Sequence, residues 1–451
     1  MNYNSLIPSK LKEKFWLVSA DMGYGHQRAI HPLKALAKGE NILNANLSPK
    51  ASLKERRLWK NTLRTYEFMS RAGKIPIIGR LISLILDSVL YIPDFYPLKD
   101  RSNPTLQVKY LKRKIKKGLC NGILEESKDP KLPIITSFFS PHIAAEMAGY
   151  EDVFCIICDI DINRVWAPQN SSQTKIKYFA SDSISAKRLI SYGVPEKNIL
   201  ITGFPLPLEL LGNHSLNTLR SNLGRRLKNL DPNAVFNLLY KHSVSAFLSD
   251  ENNVYTPSQI QENPLTITFV VGGAGAQKEI AGKITKSLAE MIINGKVILN
   301  LVAGTRTEVR DYFSSVKQQF TYNSQNVKII WAADNHSYFD LFNNCLHTTD
   351  ILWTKPSELS LYSALGIPII MCPPIGPQEI CNSKWLLEIG AGVKQLDPQY
   401  ANQWLFDLLI NGRLAEAAWN GFLKARKYGT YNILSFLETG TFDITNDPLK
   451  R

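Results

Sequence analysis

Thr354-Lys355-Pro356-Ser357-Glu358, entered from the apolar run Ile351-Leu352-Trp353, continues through Gly366-Ile367-Pro368-Ile369-Ile370 to Pro373-Pro374-Ile375-Gly376-Pro377-Gln378-Glu379-Ile380-Cys381-Asn382, and this stretch decides the fold. A strand that stops at a polar, Pro-containing turn, restarts as a helix and returns through a second strand to another polar loop is half of a nucleotide-binding α/β sheet. Near the other end, Phe15-Trp16-Leu17-Val18-Ser19-Ala20 runs into Asp21-Met22-Gly23-Tyr24-Gly25-His26, a second strand-to-glycine-loop-to-helix pattern. The expected architecture is α/β, with two Rossmann-like domains facing an interdomain cleft.

The length of 451 residues fits two domains of roughly 200 residues each. Apolar content of 44% with 20% charged residues is that of a globular chain, which excludes a disordered one. The net charge of +14 is unevenly placed: residues 1–130 hold 24 Lys plus Arg against 11 Asp plus Glu, and the remainder 29 against 28. A basic half suits nucleic acid, an anionic membrane surface, or solubility alone. The run Ile75–Ile92 is apolar apart from a narrow stripe of Arg80, Ser83 and Asp87. Two charges and a proline make it a poor spanning helix, so it reads either as a core helix or as one lying in a membrane interface. Shortly after it, Lys109–Lys117 sets Val108, Leu111, Ile115 and Leu119 on one helical side and basic residues around the rest, as a solvated face or a lipid contact. Nucleic acid is excluded as a partner, because the basic run has no interleaved aromatics beyond Tyr110. With no signal peptide ahead of the first strand, a cytoplasmic chain with reduced cysteines is expected, peripheral on the inner face of the cell membrane if the lipid reading holds. Cys155-Ile156-Ile157-Cys158 reads as core packing, and no His/Cys cluster has zinc spacing, so no metal is expected.

Strands are expected at 14–20, 133–139, 153–160, 176–180 and 199–202, a helix over 25–38, and a largely helical, apolar and basic insertion over 51–120. The strand signal then disappears until 265–271, followed by strands near 297–302, 327–330, 351–353 and 368–372 and helices near 402–409 and 414–425. This divides the chain into an N-terminal Rossmann-like domain, 1–207, a helical connector, 208–264, and a C-terminal Rossmann-like domain with terminal helices, 265–451.

Four loops carry chemistry. Gly272-Gly273-Ala274-Gly275-Ala276-Gln277 follows a strand and opens a helix, where small residues admit a diphosphate and free amides complement its charge. Arg306, in Ala303-Gly304-Thr305-Arg306, adds a cation. The loop Gly23-Tyr24-Gly25-His26 sets His26 at a helix start, whose dipole favours the neutral imidazole and so a general base; a capping histidine is the plainer alternative. Asp159 and Asp161 end a strand, with Arg164 and Trp166 following, where side chains point into a ligand crevice or cap the next turn.

The pattern resembles the GT-B glycosyltransferase branch of monogalactosyldiacylglycerol synthase, processive diacylglycerol glucosyltransferases and the N-acetylglucosaminyltransferase of peptidoglycan synthesis. Asp21–His26 is similar to the family's Asp-x-Gly-Gly-Gly-His loop, with Tyr24 for the middle glycine, and Asp159 sits at its Thr-Asp strand end. Tyr178–Ala180, Lys187–Leu189, Gly193–Pro195 and Ile201–Pro205 are similar to its first-domain exit segment. The resemblance implies that His26, with Asp159, is catalytic, that Gly272–Gln277 holds the diphosphate, and that Gln378, Glu379 and Asn382 bind the sugar. It further implies that the segment 75–97 receives a lipid-linked acceptor and that the anomeric centre inverts without a metal. Lys355-Pro356-Ser357-Glu358-Leu359-Ser360 departs from Lys-Pro-Gly-Gly-Leu-Thr and is two residues shorter; Glu358 either takes the ribose role or faces the diphosphate and repels it.

The expectation is therefore an inverting glycosyltransferase with a nucleotide-diphosphate sugar, a UDP-sugar first among them, as substrate, no cofactor, and a lipid acceptor at an anionic membrane surface. A nucleotide-sugar 2-epimerase and a degenerate sensor or scaffold are the alternatives. Sugar, linkage and oligomeric state are left open by the sequence.

Overall fold

The computed structural model describes residues 3–72, 92–248, 263–272, 275–320 and 324–446. Most of the run Ile75–Ile92, most of the 249–264 stretch, Gly273 and Ala274 lie outside them. The chain forms two compact units, Met1–Leu206 with Ile375–Asn382 and Tyr428–Arg451, and Pro207–Pro374 with Ser383–Lys427.

In the first unit, β1 (Trp16–Ser19), β2 (Leu43–Asn44), β3 (Ile134–Thr136), β4 (Val153–Ile156), β5 (Lys177–Ala180) and β6 (Ile199–Ile201) make a sheet in the order β2-β1-β3-β4-β5-β6. Every pairing is parallel, with Leu17 opposite Ile135, Ile135 opposite Phe154 and Cys155 opposite Tyr178. Sheets covered on both faces need apolar residues at consecutive positions, which is why Val153–Ile156 is buried throughout and shows no alternation. The helix expected over 25–38 divides: Tyr24–Ile30 is α-helical and His31–Leu36 is 3₁₀, because Pro32 has no N–H to continue the α ladder. The C-terminal helix Gly429–Thr439 packs in this unit, with Asn432 Nδ2 donating to Thr202 O at 2.8 Å.

In the second unit, β7 (Leu265–Val270), β8 (Val297–Gly304), β9 (Val327–Trp331), β10 (Ile351–Thr354), β11 (Ile369–Met371) and β12 (Gly392–Lys394) form a second parallel sheet, β12-β11-β10-β7-β8-β9. Helices Asn217–Leu230 and Val235–Leu248 of the 208–264 stretch belong to this unit. Arg226 is buried and donates to Thr349 O at 2.8 Å, Leu365 O at 2.9 Å and Gly366 O at 3.1 Å, while Arg225 pairs with Asp350 at 2.7 Å. Burial pulls the Arg226 guanidinium down to about 9.

Strand order positions the candidate sites. In the first sheet the chain leaves β1 towards β2 on one side and towards β3 on the other. In the second it runs β7-β8-β9 one way and β10-β11-β12 the other. Ligands of open parallel sheets bind at the carboxyl ends of the strands flanking such a reversal. The loops after β1 and β3, and those after β7 and β10, occupy those places.

Candidate functional site

In the first unit the loop after β1 brings His26 to the reversal. Gly23, at φ 121°, caps the helix Tyr24–Ile30 in a conformation that side chains resist. Asp21 is tied down on two sides: its N–H donates to Asn46 Oδ1 at 2.7 Å and its carboxylate accepts from Gln27 Nε2 at 3.0 Å. Tyr24 is buried, with the Arg28 guanidinium 5.8 Å from its ring centre, and Gly25 follows it within the helix. His26 Nδ1 lies 2.8 Å from Ser137 O and 3.2 Å from Cys158 Sγ, and the Phe138 ring meets the imidazole edge-on at 4.8 Å. Ser137 directly follows β3 and Cys158 follows β4 by two residues, so three neighbouring strand ends converge on one imidazole.

Asp159 stands beside this cluster in sequence. Its Oδ1 accepts from Asn382 Nδ2 at 3.3 Å, and Asn382 Oδ1 accepts from Ile160 N at 3.1 Å. Asn382, one of the expected sugar contacts, thus has both ends of its amide engaged with the end of β4 and is buried. Glu379 accepts from Ile375 N at 2.7 Å, which fastens its own loop, and Gln378 lies in the same loop. Residues 375–382 group with the first unit, whereas the sequence reading set them in the C-terminal domain.

Asp161, Arg164 and Trp166 are built into the fold. Arg188 grips Asp161 with two contacts of 2.8 Å, and the same guanidinium donates to Pro93 O and lies 3.9 Å from the Phe95 ring centre. Burial pushes the Asp161 carboxyl up, and the arginine opposes that shift. Arg164 donates to Ala167 O and Ser102 O, both at 2.7 Å, and Trp166 is buried. Together the two arginines fasten residues 93–102, which follow the apolar run, to the sheet. Arg188 carried no role in the sequence reading; the apolar-basic spacing of its helix gave no sign of a partner 27 residues earlier.

In the second unit Gly272 and Lys355 flank the reversal from β7 and β10. A Cβ on Gly272 would overlap Lys355 Cε and stand 3.2 Å from Nζ, so the lysine stem crosses the glycine where no other residue leaves room. Gly275 N donates to Gly272 O at 2.8 Å to close the turn, Ala276 follows, and Gln277 reaches Pro373 O at 3.1 Å. Arg306, exposed, precedes the helix Thr307–Lys317 after β8, the neighbour of β7. Glu358 is buried at the first position of the 3₁₀ helix Glu358–Leu365. A glycine turn, a lysine across it and an arginine at the adjacent strand end make a cationic setting suited to a diphosphate.

A family model described as a domain of unknown function (DUF6938) matches residues 248–433. The chain is 19% identical over 243 residues to the processive diacylglycerol beta-glucosyltransferase of Bacillus subtilis (strain 168), covering 53% of this chain and 50% of that protein. The enzyme of the same name from Bacillus pumilus (strain SAFR-032) is 19% identical over 245 residues, with the same coverage. The chain spans about half the length of the curated relatives it matches. Similar solved structures include the MnaA–UDP complex of S. aureus, at 12% identity and TM-score 0.47, covering 94% of this chain and 96% of that one. MurG of Acinetobacter baumannii has 15% identity and TM-score 0.46 over 94% and 99% of the two chains. Over about half of its length the chain is similar in sequence to the two Bacillus glucosyltransferases, and each of its two units carries a six-stranded parallel sheet.

Proposed function

We propose that the protein is an inverting glycosyltransferase that moves a sugar from a UDP-sugar to a hydroxyl of a lipid acceptor at the cytoplasmic membrane surface. The observation that carries this reading is Lys355 lying across Gly272 at the strand reversal of the second unit, because that placement sets a cationic side chain beside a backbone turn at a position where open parallel sheets bind ligands. In the reaction, the acceptor oxygen gives its proton to His26 and bonds to the anomeric carbon. The bond from that carbon to the diphosphate oxygen breaks with its electron pair, and the departing charge is held by Lys355, Arg306 and the amides of the glycine turn. Asp159 and its Asn382 contact keep the β4 end beside Cys158 in place.

The membrane part of the reading is supported by surface chemistry. Tyr96, Leu98, Leu106 and Tyr110 are each more than half exposed, among Lys109, Arg113, Lys116 and Lys117. Each basic residue near an anionic leaflet contributes about 1 kcal/mol of attraction. Among the described residues no helix is long and apolar enough to cross a membrane.

A screen of nucleotide sugars against lipid acceptors, with neutral or anionic vesicles, tests substrate and surface together. Sugar appearing on a diacylglycerol-type lipid, faster with anionic vesicles, is expected. Isomerised nucleotide sugar formed without acceptor would replace the transferase with an epimerase.

A further inference from the structure

Ser137 meets His26 twice. Its carbonyl oxygen is 2.8 Å from Nδ1, and its hydroxyl donates to the His26 carbonyl at 2.5 Å. Its own N–H donates to Val18 O at 3.3 Å, so the residue is pinned to β1, the strand that leads into the His26 loop. It is fully buried. A carbonyl oxygen has no proton to give, so the hydrogen of this contact sits on Nδ1 and the lone pair of the neutral ring is on Nε2. The same reasoning settles the thiol: with Nδ1 protonated, Cys158 cannot pass its proton there, and its sulfur 3.2 Å away is a weak second acceptor in place of an activated nucleophile. Rotating the ring by half a turn would set a C–H against the Ser137 carbonyl and lose the bond, and the Phe138 ring at 4.8 Å confines the imidazole edge.

We propose that Ser137 is a positioning residue for the reaction, holding His26 by main chain and side chain at once so that Nε2 is the atom that takes the acceptor proton. This rests on the transferase reading for its catalytic consequence, and on geometry alone for the tautomer. Small displacements of a reacting group cost on the order of 10–100-fold in rate.

The test uses the full chain, labelled with ¹⁵N at histidine, and reads the His26 tautomer by long-range proton–nitrogen spectra. The expected result is a protonated Nδ1 and an unprotonated Nε2 in the neutral ring. Ser137→Ala keeps the carbonyl and so should leave Nδ1 protonated, but without the hydroxyl contact its kcat should be lower by about 10–100-fold, with the donor KM within twofold. Ser137→Thr, which keeps the hydroxyl, should recover the rate. A neutral ring protonated on Nε2 in the unaltered chain, or Ser137→Ala working at full rate, overturns the proposal. Nδ1 protonation in a chain that transfers no sugar from any donor tried supports the main-chain hold on His26 and removes the transferase reading instead.

Discussion

The two units share a scaffold and differ in chemistry. Each has six parallel strands, and each sets its candidate residues on the strand ends that flank a reversal of order, β1 and β3 in one, β7 and β10 in the other. The first reversal holds an imidazole, a thiol and aromatic rings, with the imidazole Nδ1 turned onto Ser137 and Cys158; the second holds a glycine turn crossed by a lysine side chain. One setting suits proton transfer and the other the binding of negative charge. The topology therefore supplies the position of a site, and the side chains on those few loops supply its reaction.

The largest effect that could break this comparison is on turnover. His26→Ala should lower kcat about 10²–10⁴-fold, the range for a lost general base, while leaving nucleotide affinity unchanged in a calorimetric titration. A loss of affinity equal to the loss of rate would show that the two settings do not divide the work as described.

Next comes the fastening of residues 93–102. Asp161→Ala leaves the Arg188 guanidinium buried without its carboxylate, at a cost of about 3–5 kcal/mol. The check is the midpoint of chemical denaturation, with Arg188→Met, which removes the other charge, as its companion. Exposed pairs such as Arg310–Asp311 should change it by less than about 1 kcal/mol.

A smaller effect is expected at Gly272. Since the atom that an added Cβ meets is the far end of a flexible side chain, Gly272→Ala should displace Lys355 with little loss of stability. We expect UDP to bind about tenfold more weakly, roughly 1.4 kcal/mol, at an unchanged melting temperature.

The smallest concerns Asp182, which caps the helix Ser183–Ser191 by accepting from Ile184 N and Ser185 N. Burial pushes its carboxyl up to about 7. Because this lies above the unfolded value near 4, the folded chain holds the extra proton between those values. Its contribution to stability is full below about pH 4 and is lost as the pH rises through 7. Asp182→Asn, which keeps an acceptor for the cap, should flatten the fall in denaturation midpoint over that window.

Much of this was legible in the sequence where local chemistry was strong. Long apolar runs gave ten of the twelve strands, and the glycines at 23, 272 and 275 with Lys355 gave the loops. Strands β2 and β12 were missed, because two- and three-residue edge strands such as Leu43-Asn44 and Gly392-Val393-Lys394 carry no pattern of their own. Ser137 and Cys158 were missed as neighbours of His26 since they lie 111 and 132 residues away, and only the strand order brings them together. The expected strand over 133–139 placed Ser137 inside it, whereas β3 ends at Thr136 and leaves Ser137 at the strand end beside His26. Cys158 read as core by its apolar surroundings; it is buried, and its sulfur nevertheless faces the imidazole. Gly429–Thr439, a helix without a strong boundary signal, was not anticipated.

The central claim, that the second reversal holds a nucleotide diphosphate through Lys355, is tested most directly by titrating UDP calorimetrically into the unaltered chain and into Lys355→Met. The account predicts binding to the first and at least tenfold weaker binding to the second. Equal affinity in both, or heat from neither, would contradict it.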